Sequence, residues 1–123
     1  MQAGKLDIDK GGEIVQAIFG FCDIRNFTDC TEVLHADIVR LVNAVAVHVH
    51  TSAAENHGAA NKNIGDAFLL VWKPKGHLDI STAADASLRS YIRVIIALQT
   101  CPQLRRIERR AALQERYIHT CML

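Results

Sequence analysis

An α+β fold is what the sequence predicts, and three observations predict it. Ile14 to Cys22 is a largely apolar run with bulky residues at both odd and even positions, which suits a central strand covered on both sides. Ile38, Leu41, Val42, Val45 and Val49 recur at three- and four-residue spacing and form one apolar face of a helix. Asn61 to Trp72 reads as a strand, a tight turn at Ile64-Gly65-Asp66 and a second strand, because Gly65 adopts turn conformations that most residues avoid.

The remaining elements follow in order. Residues 1–12 are polar and glycine-containing and are expected to be a linker or a disordered N-terminus. After Asp23 the chain turns, and Thr28 or Asp29 is a suitable cap for a short helix. Asp37 is the N-cap or first-turn acid of the long helix, and Asn56-His57-Gly58 stops it. Lys73-Pro74-Lys75-Gly76 breaks the second hairpin strand. A further helix is expected from near Ser81–Asp85, carrying Leu88, Tyr91, Ile92, Ile95, Ile96 and Leu98, until Pro102 interrupts it. Leu104 to Tyr117 is helix-compatible and basic; with Glu108 and Glu115 interspersed, it reads as a solvated helix face. Strand, helix, hairpin, helix is an order that suits part of a ferredoxin-like sandwich.

Composition narrows the function classes. The chain has 123 residues, half of them apolar, enough for one domain with a modest core. A net charge of +1 gives no global electrostatic case for nucleic acid or an acidic membrane. No apolar run approaches the ~20 residues of a membrane span, and the mixed polar start does not resemble a signal peptide. Cys22, Cys30, Cys101 and Cys121 include no CxxC pair and are expected to be reduced thiols of an intracellular, cytoplasmic protein. His48 and His50 fall on different helix faces, and the other histidines lack ligand spacing.

Two acids stand where acids are costly. Asp23 ends one apolar run and Asp66 opens another. A carboxylate in such a setting loses solvation unless a cation or strong donors meet it. Singly, Asp23 reads as a helix-entry acid and Asp66 as a turn residue. Together, two strands each delivering an Asp beside a glycine turn or a helix start form a pattern able to hold divalent metal and phosphate.

Phe21-Cys22-Asp23-Ile24-Arg25-Asn26-Phe27-Thr28, followed later by Lys62-Asn63-Ile64-Gly65-Asp66-Ala67, resembles the catalytic domain of class III nucleotide cyclases, the adenylate and guanylate cyclases. The likeness runs from about Ile14 to Trp72 and more weakly through Ala83–Leu98. It implies a ferredoxin-like sandwich of the cyclase type. It also implies conversion of ATP to cyclic AMP and pyrophosphate in intracellular signal transduction, by attack of the 3′-hydroxyl on the α-phosphate with two Mg²⁺ or Mn²⁺ ions assisting. Asp23 and Asp66 match the family's metal-binding aspartates, and the Ile24 carbonyl matches its additional metal ligand. Asn26, Phe27 and Thr28 match the segment whose backbone N–H groups cradle the triphosphate, although many members have Gly at the position of Asn26. Lys62 matches the adenine-contacting lysine of adenylate cyclases, where guanylate cyclases usually have Glu, which favours ATP over GTP; the plain alternative is a solvent-facing strand lysine.

The resemblance further implies a homo- or heterodimer with another cyclase domain, and family members often belong to larger, membrane-bound chains. Between Leu98 and Leu123 nothing matches the family's later strand pair, its second purine-selecting residue, or its transition-state Asn and Arg. Residues 13–100 are therefore expected to be a partial, C-terminally truncated cyclase domain, and 101–123 a basic helix or tail. The alternative function is a catalytically inactive, cyclase-like module that binds nucleotide or pairs with a complete cyclase chain, or a guanylate cyclase if Lys62 does not set the purine choice. A diguanylate cyclase using GTP ranks below both, since the Gly-Gly-(Asp/Glu)-Glu-Phe signature is absent.

Overall fold

The computed structural model describes residues 11–113. The expectations for residues 1–10 and 114–123, Cys121 among them, lie outside the described residues. Within the described span the elements are β1 (Ile18–Asp23), α1 (Phe27–Leu34), α2 (Asp37–Glu55), β2 (Ala59–Ile64), β3 (Ala67–Trp72), α3 (Ile80–Thr100) and α4 (Pro102–Leu113). The fold is α+β. The sheet has three strands in the order β1-β3-β2, and β3 is antiparallel to both neighbours. Strands β1 and β2 therefore run the same way with β3 inserted between them, a split β-α-β arrangement compatible with a ferredoxin-like fold.

Strand β1 is shorter than the apolar run predicts. Ile14 is fully exposed and Val15 half exposed, and pairing begins only at Ile18, opposite Trp72. The limit comes from the partner strand: Lys73-Pro74 ends β3 at Trp72, so residues before Ile18 have no rung to join. Nor is β1 covered on both sides. Gly20 and Cys22 are buried, whereas Phe19 and Phe21 are exposed on the opposite face.

One face of the sheet carries the core. Phe68, Leu70 and Trp72 of β3 alternate onto it and are all but fully buried. They meet Val45, Val49 and Ala53 of α2 and Ala83, Val94 and Leu98 of α3 within one apolar cluster. Trp72 donates its indole N–H to the Asn56 carbonyl at 3.1 Å, which satisfies its polar edge. Helices α2 and α3 are tied by Ser52, whose hydroxyl donates to the Ser90 carbonyl at 2.9 Å.

Helix ends follow local chemistry. Helix α2 stops in a Schellman motif: Gly58 N–H reaches the Ala53 carbonyl at 2.8 Å and His57 N–H reaches Ala54 at 3.3 Å. His57 takes the left-handed position with φ 64°. Helix α3 starts at Ile80, slightly before the expected Ser81–Asp85, because Asp79 is its N-cap and accepts from Thr82 N–H at 2.7 Å. That bond holds the Asp79 carboxyl below its ordinary value. Beyond Cys101 the basic segment is a docked helix: Leu104 and Ile107 join the core, while Arg105, Arg106 and Arg109 stay exposed. Arg105 also caps α3, donating Nε and Nη2 to the Gln99 carbonyl.

Cys22 and Cys101 are free, buried thiols. Cys30 is fully buried and disulfide-bonded, so the all-reduced expectation does not extend to it. No helix among the described residues is long and apolar enough to cross a membrane.

Candidate functional site

The register of β1 and β3 brings the two acids together. Asp23, the last residue of β1, pairs with Ala67, the first of β3, and Asp66 precedes Ala67 in the hairpin turn. One step beyond the strands, Ile24 donates its N–H to the Asp66 carbonyl at 3.2 Å. Ile24 is itself buried in the core, which anchors the chain where it leaves the sheet. The turn is the one the sequence predicts, with Gly65 at φ 61°.

From Ile24 the chain enters α1 through Asn26, which is the N-cap and sits in the left-handed region at φ 53°, ψ 37°. The sequence offers Thr28 or Asp29 as cap; the structure instead uses Asn26 and puts both of those residues in the first turn. Asn26 makes no side-chain cap bond, and its carbonyl accepts the first helical bond from Cys30 N–H at 3.0 Å. The N–H groups of that first turn lack a side-chain acceptor, and they carry the positive end of the helix dipole.

These pieces line an open cleft of about 470 Å³: Asp23, Ile24, Arg25, Asn26, Phe27, Thr28, Asp29 and Asp66. The cleft thus gathers all but one of the residues singled out from the sequence. Phe27 is half-buried and packs against the core, so its contribution to the cleft is its backbone. Thr28 is exposed in the first turn.

Lys62 is the exception. It is exposed on β2, opposite Leu69, beside an irregularity that leaves Asn61 out of the pairing. Ile64 pairs with Ala67, so Lys62 stands two residues, or about 7 Å, back from the hairpin end. It shares the open sheet face with Asp23 but does not line the cleft.

Asp29 and Arg25 are cleft residues that the sequence reading did not assign to a site. The signal for Asp29 was its place near the start of the expected helix, where the structure puts it in the first turn of α1. Asp23, Asp29 and Asp66 make no side-chain hydrogen bond or ion pair among the described residues. No group of three or more His, Cys, Asp or Glu side chains converges as a metal cage among the described residues. The carboxylates lining the cleft are Asp23 and Asp66, at the end of the strand pair, and Asp29, in the first turn of α1. Hard oxygen donors of this kind fit Mg²⁺ or Mn²⁺, which keep several positions for water and substrate phosphate.

Beneath Asp23, burial pushes the Cys22 thiol up to about 11, and the Asp23 charge adds to the shift. Cys22 is thus a protonated core thiol rather than a nucleophile. His50, on α2, meets Asn63 Oδ1 at 3.2 Å and stands edge-on to Phe68, which gives it a structural role beside the hairpin.

The chain matches no known family model, no curated protein and no solved structure.

Proposed function

We propose that this chain supplies the metal- and phosphate-binding part of a class III-type nucleotide cyclase site, acting on ATP. The observation that carries the reading is the Asp23–Asp66 juxtaposition at the mouth of the α1 N-terminus. In this reading Asp23 and Asp66, with the Ile24 carbonyl, would hold divalent cations, whose chemistry would be to lower the pKa of the attacking 3′-hydroxyl and neutralise the β- and γ-phosphates. The first-turn N–H groups after Asn26 orient the triphosphate, and the left-handed Asn26 aims them at it. Lys62 reads the purine only if the base extends along the open sheet face, since Lys62 stands back from the cleft.

One feature favours a second reading, nucleotide binding without turnover. Among the described residues, Arg25 is the one cation lining the cleft. Transition-state charge on a transferring phosphoryl group needs more positive partners than one exposed guanidinium, and loss of one such partner costs orders of magnitude in rate. Under this reading the chain binds nucleotide or supports a complete cyclase chain.

A cyclase assay with Mn²⁺ and ATP, GTP in parallel and Asp66→Ala as control, separates the two. Cyclic AMP that disappears in the variant supports the catalytic reading. Mn·ATP binding without product supports the second. Absence of nucleotide binding, or binding unchanged in both Asp23→Ala and Asp66→Ala, overturns the site.

A further inference from the structure

The outer edge of β1 is open: among the described residues no strand pairs with it, β3 lying on its other side. The direction of its free groups follows from one bond. Ile24 N–H points to β3, so Cys22, Gly20 and Ile18 do as well, and Phe19 and Phe21 direct their N–H and C=O groups outward. This edge carries one of the usual protections, the charge of Asp23 at its end, but no proline and no lysine; its other two outward residues, Phe19 and Phe21, are large aromatics exposed by 64% and 63%.

An apolar flank overhangs the same edge. Helix α3 meets α2 through Ser90 and lies over β1 and β3, where the Tyr91 hydroxyl abuts Gly20. At 100° per residue, Leu88, Ile92 and Ile95 stand on the side of α3 opposite Ser90, beyond the β1 edge. All three are exposed, by 62%, 49% and 43%. The open edge is therefore apolar above, on α3, and below, at Phe19 and Phe21.

We propose that a second copy of this chain covers this edge, pairing β1 with β1 across a twofold axis to make one continuous six-stranded sheet. Self-pairing of an edge about a twofold is antiparallel, as are the existing rungs. With the axis through Gly20, Phe19 of one copy faces Phe21 of the other. The two α3 helices, each seated over a β1–β3 pair, come within about 10 Å of one another, the spacing of packed helices. From their fractional exposure, the five apolar side chains bring roughly 500 Å² per copy, and the strand backbone adds to it. That approaches the ~800 Å² per partner of a stable interface. A net charge of +1 leaves little repulsion between copies. The pairing involves no nucleotide and stands apart from the cyclase reading.

The test is sedimentation velocity of the full chain without nucleotide over a wide micromolar range, with hydrogen exchange read at the Phe19 and Phe21 amides. A concentration-dependent dimer is expected, with protection at both amides rising in step with it. Ile92→Lys, exposed in the single copy, weakens association roughly tenfold or more. Val47→Lys, on α2, leaves it unchanged. Far-UV circular dichroism confirms that both variants fold. A monomer at every concentration overturns the proposal. So does a dimer that persists in Ile92→Lys or leaves the two amides unprotected, since another face then joins the copies.

Discussion

Ile24 and Asp66 are joined backbone to backbone, N–H to carbonyl at 3.2 Å, and this bond sets the spacing of the acids on either side of it. Because the main chain holds the site, the carboxylates are free to be changed without loss of the fold. Asp23→Asn and Asp66→Asn are each expected to weaken Mn·ATP binding at least roughly tenfold in titration calorimetry. Unfolding free energy should move by no more than about 0.5 kcal/mol, or rise as like charges are removed. A large loss of stability in both variants argues instead that the acids are structural.

Asn26 leads into α1 with φ 53°, a conformation that glycine adopts freely and β-branched residues resist. Asn26→Gly is expected to preserve stability and nucleotide binding. Asn26→Val is expected to cost about 1–2 kcal/mol and to weaken phosphate binding with it. Chemical denaturation and binding measured on the same samples check both. Equal behaviour of the two variants removes the backbone argument.

The hairpin, the long helix α2 and the α+β class were legible because each is written in local chemistry: Gly65 in a turn, a three- and four-residue apolar period, a glycine-containing helix stop. The start of β1 was not, since Ile14 and Val15 look like strand residues until the length of β3 is known. Pro74 decides it from more than fifty positions away. The convergence of Asp23 and Asp66 was readable from two motifs in order. The distance of Lys62 from the cleft depends on register, and spacing along the chain does not contain it. The cap at Asn26 was hidden by better-looking candidates at Thr28 and Asp29.

Gly20 tests the packing between β1 and α3. A methyl there overlaps the Tyr91 hydroxyl and comes within 2.8 Å of the Trp72 ring. Gly20→Ala should therefore destabilise by about 1–3 kcal/mol. The Tyr91 hydroxyl is buried without a hydrogen-bond partner among the described residues, so Tyr91→Phe should be neutral or stabilising. Tyr91→Phe also makes room beside Gly20, and the double variant should recover part of the Gly20→Ala loss. A double-mutant cycle with no coupling between the two positions contradicts this packing.

Alkaline pH should weaken the fold through its buried thiol. Burial, with the Asp23 charge second, raises Cys22 from its ordinary 9.0 to about 11. The folded state therefore holds this proton more tightly than the unfolded chain. Its contribution to stability is complete below pH 9 and is lost as pH rises from 9 through about 11. Tyr91 is shifted the same way from its ordinary 10.0, by burial first and the Cys22 charge second, so its share is lost at higher pH. Urea midpoints should be level below pH 9 and then fall, with a gentler slope from 9 to 11 in Cys22→Ala. The alanine variant lowers the whole curve through the space it opens beside Val49 and Phe68, but only a proton held by Cys22 changes the slope. Parallel curves for the two proteins would show that this thiol does not govern the alkaline transition.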